Sequence, residues 1–220
     1  MITFGMFGAG STGRSQMHAA MDMLPERFGG LKEGDLRLVF IETNPQETEI
    51  EGLEVLSEED FLALQGDDIY YNISISDPYK RENIADRLAL TGRQPLTIFD
   101  TTTRLRYPHE IGEGALFSFS TMVSHDVKIG RFFHCLSYSM VPHNCSVGDF
   151  VTMTSRVNLG GFTEVGNHVF LGTGCMTKPG KPDKPLRIGD GATIGMGAVV
   201  LEDVPAGATV AGNPARILKK

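Results

Sequence analysis

The sequence holds no CxxC pair, no lysine- and arginine-rich stripe interleaved with aromatics, and no apolar run approaching the ~20 residues of a membrane span. Cys135, Cys145 and Cys175 are the three cysteines. Their spacing fits reduced, buried thiols better than a disulfide or zinc framework. Positive charge is in deficit: 20 Lys and Arg against 27 Asp and Glu leave a net charge of -7. That argues against nucleic acid as the main partner, while local Lys/Arg clusters can still meet a phosphorylated small molecule. The opening MITFGMFGAG is apolar over too few residues to anchor the chain and lacks a basic leader. It reads as neither signal peptide nor anchor, and a cytoplasmic location is expected. What is present is ordinary: 41% apolar residues over 220 positions, enough for one large domain or two small ones.

The chain divides by its periodicity. Up to about residue 103, strand-like and helix-like stretches alternate, as in a small α/β domain with a parallel sheet. ITFGMFG reads as a strand, followed by a Gly-rich turn and a helix over roughly Gly13 to Leu24. RLVFIE is a second strand, Ser57-Glu-Glu-Asp60 has the form of a capping box before a short helix FLAL, and IYYNISIS is a buried strand. Pro78 stands at the start of a helix reaching about Leu90, Gly92 is placed to end it, and TIF supplies a last short strand. One hundred residues make half of a dinucleotide fold, so a mononucleotide-sized ligand is expected.

From residue 104 to 220 the period is six. Leu105, Ile111, Phe117, Val123, Ile129, Cys135, Val141, Val147, Met153, Leu159, Val165 and Leu171 form an unbroken apolar series. Four residues further on stand small or branched side chains, such as Thr121, Val127, Ser139, Cys145 and Thr163. Glycine follows the apolar position at 112, 130, 148, 160, 166 and 172, which is expected where the backbone turns tightly. The series jumps by eleven from Thr177 to Ile188 and resumes through Ile194 and Val200, so five extra residues must loop out within TKPGKPDKPLR. Three hexads make one triangular coil, and the whole predicts about five coils of a parallel β-helix.

The pattern Leu/Ile/Val-Gly-x-x-small-x resembles the left-handed β-helix acyltransferases, and the closing VVLEDVPAGATVAGNPARIL looks very like the end of that superfamily. A small Rossmann-like domain opening on a Gly-rich turn, followed by such a helix and the segment HNCSVGDF, resembles the sialic acid O-acetyltransferase and bacillosamine/perosamine N-acetyltransferase family. The resemblance covers essentially the whole chain. It implies a homotrimer with active sites between subunits, acetyl-CoA in the groove between two β-helices, a nucleotide-linked amino sugar held by residues 1 to 103, and no metal.

Two near-copies carry the candidate base: MVSHDVKIGRF, with His125 and Asp126, and MVPHNCSVGDF, with His143 and Asn144. Both histidines stand third after an apolar hexad position and one coil apart, so they should stack roughly 5 Å from each other. His143 lies 69 residues before Gly212 of GNPAR, or 64 once the excursion is removed, which matches the family's spacing from catalytic His to this ending. The resemblance therefore selects His143 as the base and Asn144 as its orienter, with His125 and Asp126 as the alternative pair. An imidazole titrates in the range this chemistry needs. The family usually has Asp or Glu where Asn144 stands, and an amide orients the ring without adding charge. Weaker base strength favours an amine acceptor over a hydroxyl. If His125 were the base, His134 nine residues on would take the place of a family His near the thioester; Thr152 takes that place for His143.

For acetyl-CoA the resemblance carries over Gly161 and Met196 as backbone donors, and Lys178, Lys181, Lys184 and Arg216 offer positive charge for its phosphates. For the nucleotide sugar, Gly8, Gly10, Gly13 and Arg14 form a GxGxxG turn between strand and helix. Glu42 closes the second strand and is placed to accept from a ribose or base, with Thr43 and Asn44 beside it. Asp77-Pro78 reads equally as a crevice lining and as a helix start. The expected activity is transfer of acetyl from acetyl-CoA to the amino group of a UDP-, GDP- or dTDP-linked amino sugar for surface glycan synthesis. O-acetylation of a sugar, a zinc hydratase on a similar β-helix, and a non-catalytic nucleotide-sugar-binding protein are the other readings.

Overall fold

The computed structural model describes residues 1 to 218 except Glu33 and Asp67. It divides into two compact units, Met1–Thr101 and Thr102 onward. The first contains β1 (Ile2–Phe7), α1 (Ser11–Arg27), β2 (Leu36–Glu42), β3 (Glu49–Ile50), β4 (Leu53–Ser57), α2 (Glu58–Ala63), β5 (Ile69–Ile73), α3 (Pro78–Ala89) and β6 (Gln94–Pro95). Their order in the sheet is β3-β4-β2-β1-β5-β6, parallel except for the β3/β4 hairpin. From β1 the chain steps outward through β2 to β4, then returns to the other side of β1 with β5. A crevice therefore opens at the carboxyl ends of β1 and β5, where the direction of winding reverses. Phe4, Met6, Val39, Phe40, Ile41, Tyr71 and Ile73 are all buried, as strands covered on both faces require.

Several boundaries differ from the sequence expectation. The first helix begins at Ser11 rather than Gly13 and runs on to Arg27. The buried strand ends at Ile73, because Ser74 turns back to bond the end of β1. Strand β4 was not expected at all. It is set by Glu51 and Gly52, both at positive φ, which close a two-residue hairpin and deliver Leu53–Ser57 onto β2. Ser57 does cap α2, accepting from the Asp60 N–H.

The second unit is a parallel β-helix with three faces. The first face stacks Arg104–Leu105, Met122–Val123 and Met140–Val141 beneath Met176–Thr177 and Val199–Val200, with Asn158 bridging Met140 and Met176. The second stacks His109–Ile111, Val127–Ile129, Ser146–Val147, Thr163–Val165 and Leu186–Ile188. The third runs from Leu116–Phe117 through His134–Cys135, Thr152–Met153, Phe170–Leu171 and Thr193–Ile194 to Thr209–Ala211. Partners are eighteen residues apart, as in Val123 with Val141 and Cys135 with Met153. Val165 pairs with Ile188, so the excursion lies within one coil. The apolar hexad residues from Val123 to Leu171 fill the interior, followed by Ile188, Ile194 and Val200, all buried.

The turns have a regular backbone cause. Ser120, Asp126, Phe132, Tyr138, Asn144, Phe150, Arg156, Phe162 and His168, six residues apart, all have positive φ. The glycines after the hexad positions serve another purpose, because 112, 130, 148, 160, 166 and 172 are not among the positive-φ residues. They permit close approach of successive coils: a Cβ on Gly148 would stand 2.7 Å from the Gly166 carbonyl carbon and 2.5 Å from Asn167 Oδ1. The expectation of tight turning at these glycines is thus corrected to close stacking. Replacing Gly148 by alanine should force two coils apart and cost about 1–3 kcal/mol. An unchanged urea midpoint would show that the coils have room there.

Candidate active site

His143 lies on the corner between the first and second faces of the β-helix, and Asn144, next to it, holds the positive-φ corner position. Asparagine is among the few residues that adopt that conformation readily. The corner geometry lets the Asn144 side chain fold back, so that His143 Nδ1 donates to Asn144 Oδ1 at 2.9 Å. With the proton on Nδ1, Nε2 carries the lone pair. One coil below, His125 Nδ1 donates to Asp126 Oδ2 at 2.8 Å. The two rings stack 5.6 Å apart, 12° from parallel.

One coil above His143 comes Gly161, then Phe162, whose ring meets the imidazole edge-on at 5.4 Å. A Cβ on Gly161 would stand 2.7 Å from His143 Cε1 and 2.9 Å from Nε2. The glycine thus leaves room for the imidazole directly beneath it. Above it lies the excursion, tied down by Gly180 N–H to Gly161 O and Leu186 N–H to Phe162 O. Lys181, Pro182 and Pro185 of that loop join Asp126, Lys128, Asn144, Ser146, Phe162 and Glu164 around a cavity of about 360 Å³. Counting eighteen residues upward from Asn144 would have found Phe162; Lys128 and Glu164 carry no sequence signal beyond lying on outward strand positions.

The other residues expected at the acetyl-CoA site lie elsewhere in the single chain. Thr152 is 1% exposed, on the third face between His134 and Phe170. His134 is equally enclosed on the third face, whereas His125 stands at the corner between the first and second faces. Met196, 80% exposed, is at the corner between the third and first faces. Lys178 pairs with Glu202 at 3.4 Å, beside a cavity of about 460 Å³ that Lys181 and Lys184 also line. Arg216 is exposed on the terminal strand Arg216–Ile217, antiparallel to Thr209–Ala211.

The first unit gathers the Gly-rich turn as expected. Gly8, Gly10, Ser11, Thr12 and Gly13 line a cavity of about 260 Å³ with Ser74, Ile75 and Ser76. Gly8 has φ +93, and a Cβ on Gly13 would lie 1.8 Å from the Gly8 oxygen, so both glycines are required. Ser74 Oγ lies 2.9 Å from both the Phe7 and Gly8 carbonyl oxygens and fastens the two strand ends together. Glu42 accepts from the Ala9 N–H at 2.6 Å, and Arg14 Nε donates to Ala9 O at 2.9 Å. Glu42 therefore braces the turn through one of its oxygens. Thr43 and Asn44 are exposed just beyond it. Asp77 accepts from the Tyr79 and Lys80 N–H groups and so serves as the cap of α3. From α3 the buried Arg81 donates to the Ile75 and Ser76 carbonyls, shaping the far wall; burial lowers its pKa to about 9 against the pull of Asp77.

All three cysteines are free and buried. Burial pushes Cys145 up to about 11 and Cys175 up to about 12, and raises Cys135 too. They are inert at neutral pH. Among the described residues no group of three His, Cys, Asp or Glu side chains is arranged to hold a metal ion, and no helix is long and apolar enough to cross a membrane.

No protein-family model matches the chain. Individual proteins do. The chain is 38% identical over 221 residues to a GDP-perosamine N-acetyltransferase of Escherichia coli O157:H7, spanning 100% of this chain and 98% of that protein. The solved structure of WeeI from Acinetobacter baumannii AYE is similar with TM-score 0.90 and 38% identity, over 99% of this chain and 100% of that one. PerB from Caulobacter crescentus, solved with CoA and GDP-perosamine, shares the fold at TM-score 0.83 and 20% identity, over 99% and 97% of the two chains. An end-to-end match at this identity, on a β-helix of the left-handed acetyltransferase type, places the chain in the bacillosamine/perosamine N-acetyltransferase family of hexapeptide-repeat enzymes.

Proposed function

We propose that this chain transfers acetyl from acetyl-CoA to the amino group of a GDP-linked amino sugar of the perosamine type. The observation that carries the reading is His143, held by Asn144 through Nδ1 with Gly161 making room for the ring, in a chain that matches a GDP-perosamine N-acetyltransferase over its whole length. The amine nitrogen attacks the thioester carbonyl and the N–C bond forms. His143 Nε2 takes the proton that the nitrogen sheds, and the C–S bond then breaks as that proton passes to the leaving sulfur. Products are the N-acetyl sugar and CoA thiol. An amine supplies its own lone pair, which suits a base whose neighbour is the neutral Asn144.

The first unit is read as a Rossmann-like nucleotide-sugar-binding domain. Support comes from the reversal of strand order at β1 and from the Gly8–Gly13 turn at the start of α1, where amide groups and the helix N-terminus favour phosphate. Arg14 on the first turn adds charge. The enzyme is read as a homotrimer with active sites between copies. Within one chain His143 and Met196 are on different corners, so a second copy is needed to bring two such corners together. Exposed Phe119, Tyr138, Met176 and Met196 are apolar surface that such a copy would cover. A cytoplasmic location follows from the two substrates and from thiols kept reduced. Surface glycan synthesis is the expected destination of the product.

His143→Ala should lower kcat/KM by about 10²–10⁴-fold with acetyl-CoA and GDP-perosamine, while His125→Ala keeps most activity. Equal losses would remove the distinction between the two coils, and turnover of a hydroxyl analogue in preference to the amine would replace the reading with O-acetylation. Gly161→Ala should cost about 10²-fold in kcat, with little change in thermal midpoint, because the methyl displaces the imidazole. Gly13→Ala should abolish stabilisation by GDP in a thermal-shift measurement; retained stabilisation would exclude the Gly-rich turn as the nucleotide site.

A further inference from the structure

The Asp126 carboxylate has no place in the reaction as written, and neither does His125. Yet the pair repeats the His143–Asn144 arrangement in detail. Both Asx residues are at positive φ, 56° and 57°, and both imidazoles use Nδ1 toward the neighbouring side chain, at 2.8 and 2.9 Å. The rings are 12° from parallel. The two pairs are therefore copies displaced by one strand spacing, about 4.8 Å. That displacement brings the Asp126 carboxylate directly below the Asn144 amide. Asp126 and Asn144 also wall the same cavity.

We propose that Asp126 supplies from the coil below the negative charge that Asn144 does not bring to His143, and so is a positioning residue for the base when it carries the transferred proton. The proposal rests on the assignment of His143 as that base. A carboxylate at this separation is inside the ~10 Å screening length of 0.1 M salt. Half exposed, it acts through a largely aqueous dielectric. Its negative charge favours the positive ring that forms when the base takes the proton. Backbone demands do not require the charge, since asparagine holds the same corner at 144.

The remaining charges around the two pairs are largely matched. Lys128 pairs with Glu110 at 3.4 Å and Glu164 with Arg187 at 2.9 Å on the second face. Below His125 are Arg106 and His109, joined through the Arg106 carbonyl. Lys181, on the cavity wall, opposes Asp126 by favouring the neutral imidazole.

The test is the pH profile of kcat/KM with acetyl-CoA and GDP-perosamine for the wild type, Asp126→Asn, Asn144→Asp and the double variant. Asp126→Asn should move the acidic limb down and lower the plateau several-fold. Asn144→Asp should move the limb up, and the double variant should fall between the two. Limb position does not depend on the fraction of folded enzyme, so a purely structural role for Asp126 would lower the plateau alone. A limb that stays put in Asp126→Asn while Asn144→Asp shifts it overturns the proposal and leaves the base in place. Retained activity in His143→Ala overturns the reading on which the proposal rests, whatever Asp126→Asn does.

Discussion

A left-handed backbone turn every sixth residue is the constraint on which the β-helix depends. Nine consecutive corners from Ser120 to His168 adopt it with side chains other than glycine. Each costs on the order of 1–2 kcal/mol relative to an ordinary conformation. The strain is offset by what the turns make possible, a column of apolar residues filling the interior and carbonyl-to-amide bonds between coils. The side chains at the corners add their own ladders. Phe132 stacks on Phe150 and Phe150 on His168, with centroids 5.5 and 5.6 Å apart, and Arg131 covers Phe150 at 4.8 Å. Beside them, Asp149, Asn167 and Asp190 each accept from the backbone N–H of the coil below, at Arg131, Asp149 and Asn167.

The His–Asx arrangement of the candidate site is a by-product of the same constraint. A residue at a left-handed corner directs its side chain back along the chain, so an Asx there meets the residue before it. His125 with Asp126 and His143 with Asn144 are two instances of one backbone geometry. At the next coil the sequence changes to Gly161 and Phe162, and the column of imidazoles ends against the glycine and the Phe162 ring. His143 is thus the last imidazole of the column. In the first unit a comparable economy holds: the Gly-rich turn is braced by Glu42, Arg14 and Ser74 through backbone groups, and small residues line the cavity beside it.

Much of this was legible in the residues because a β-helix writes its geometry into the sequence at fixed spacing. The stacking of His125 on His143 and the looping-out of residues near Lys181 both came from counting sixes, and both are present. Strand β4 was missed because five residues before a strong capping box give little periodic signal, and the Glu51–Gly52 turn that creates it was passed over. Glu42 was read as a ligand acceptor; its bond to Ala9 depends on a partner 33 residues away, which no local pattern reveals.

The sequence by itself determined the class of fold, the coil height and which residues share a column, since these follow from a six-residue repeat whose interior must be apolar. Only the tertiary structure decided what each repeated position does. Six glycines proved to be points of close contact between coils rather than turns, because their neighbours are backbone atoms eighteen or more residues distant. Thr152 and His134 proved enclosed and Met196 exposed on another corner, because a position in a hexad names a face but not what covers it. Two histidines alike in sequence have different neighbours for the same reason: His143 has an imidazole below it and a glycine above, each a full coil away along the chain.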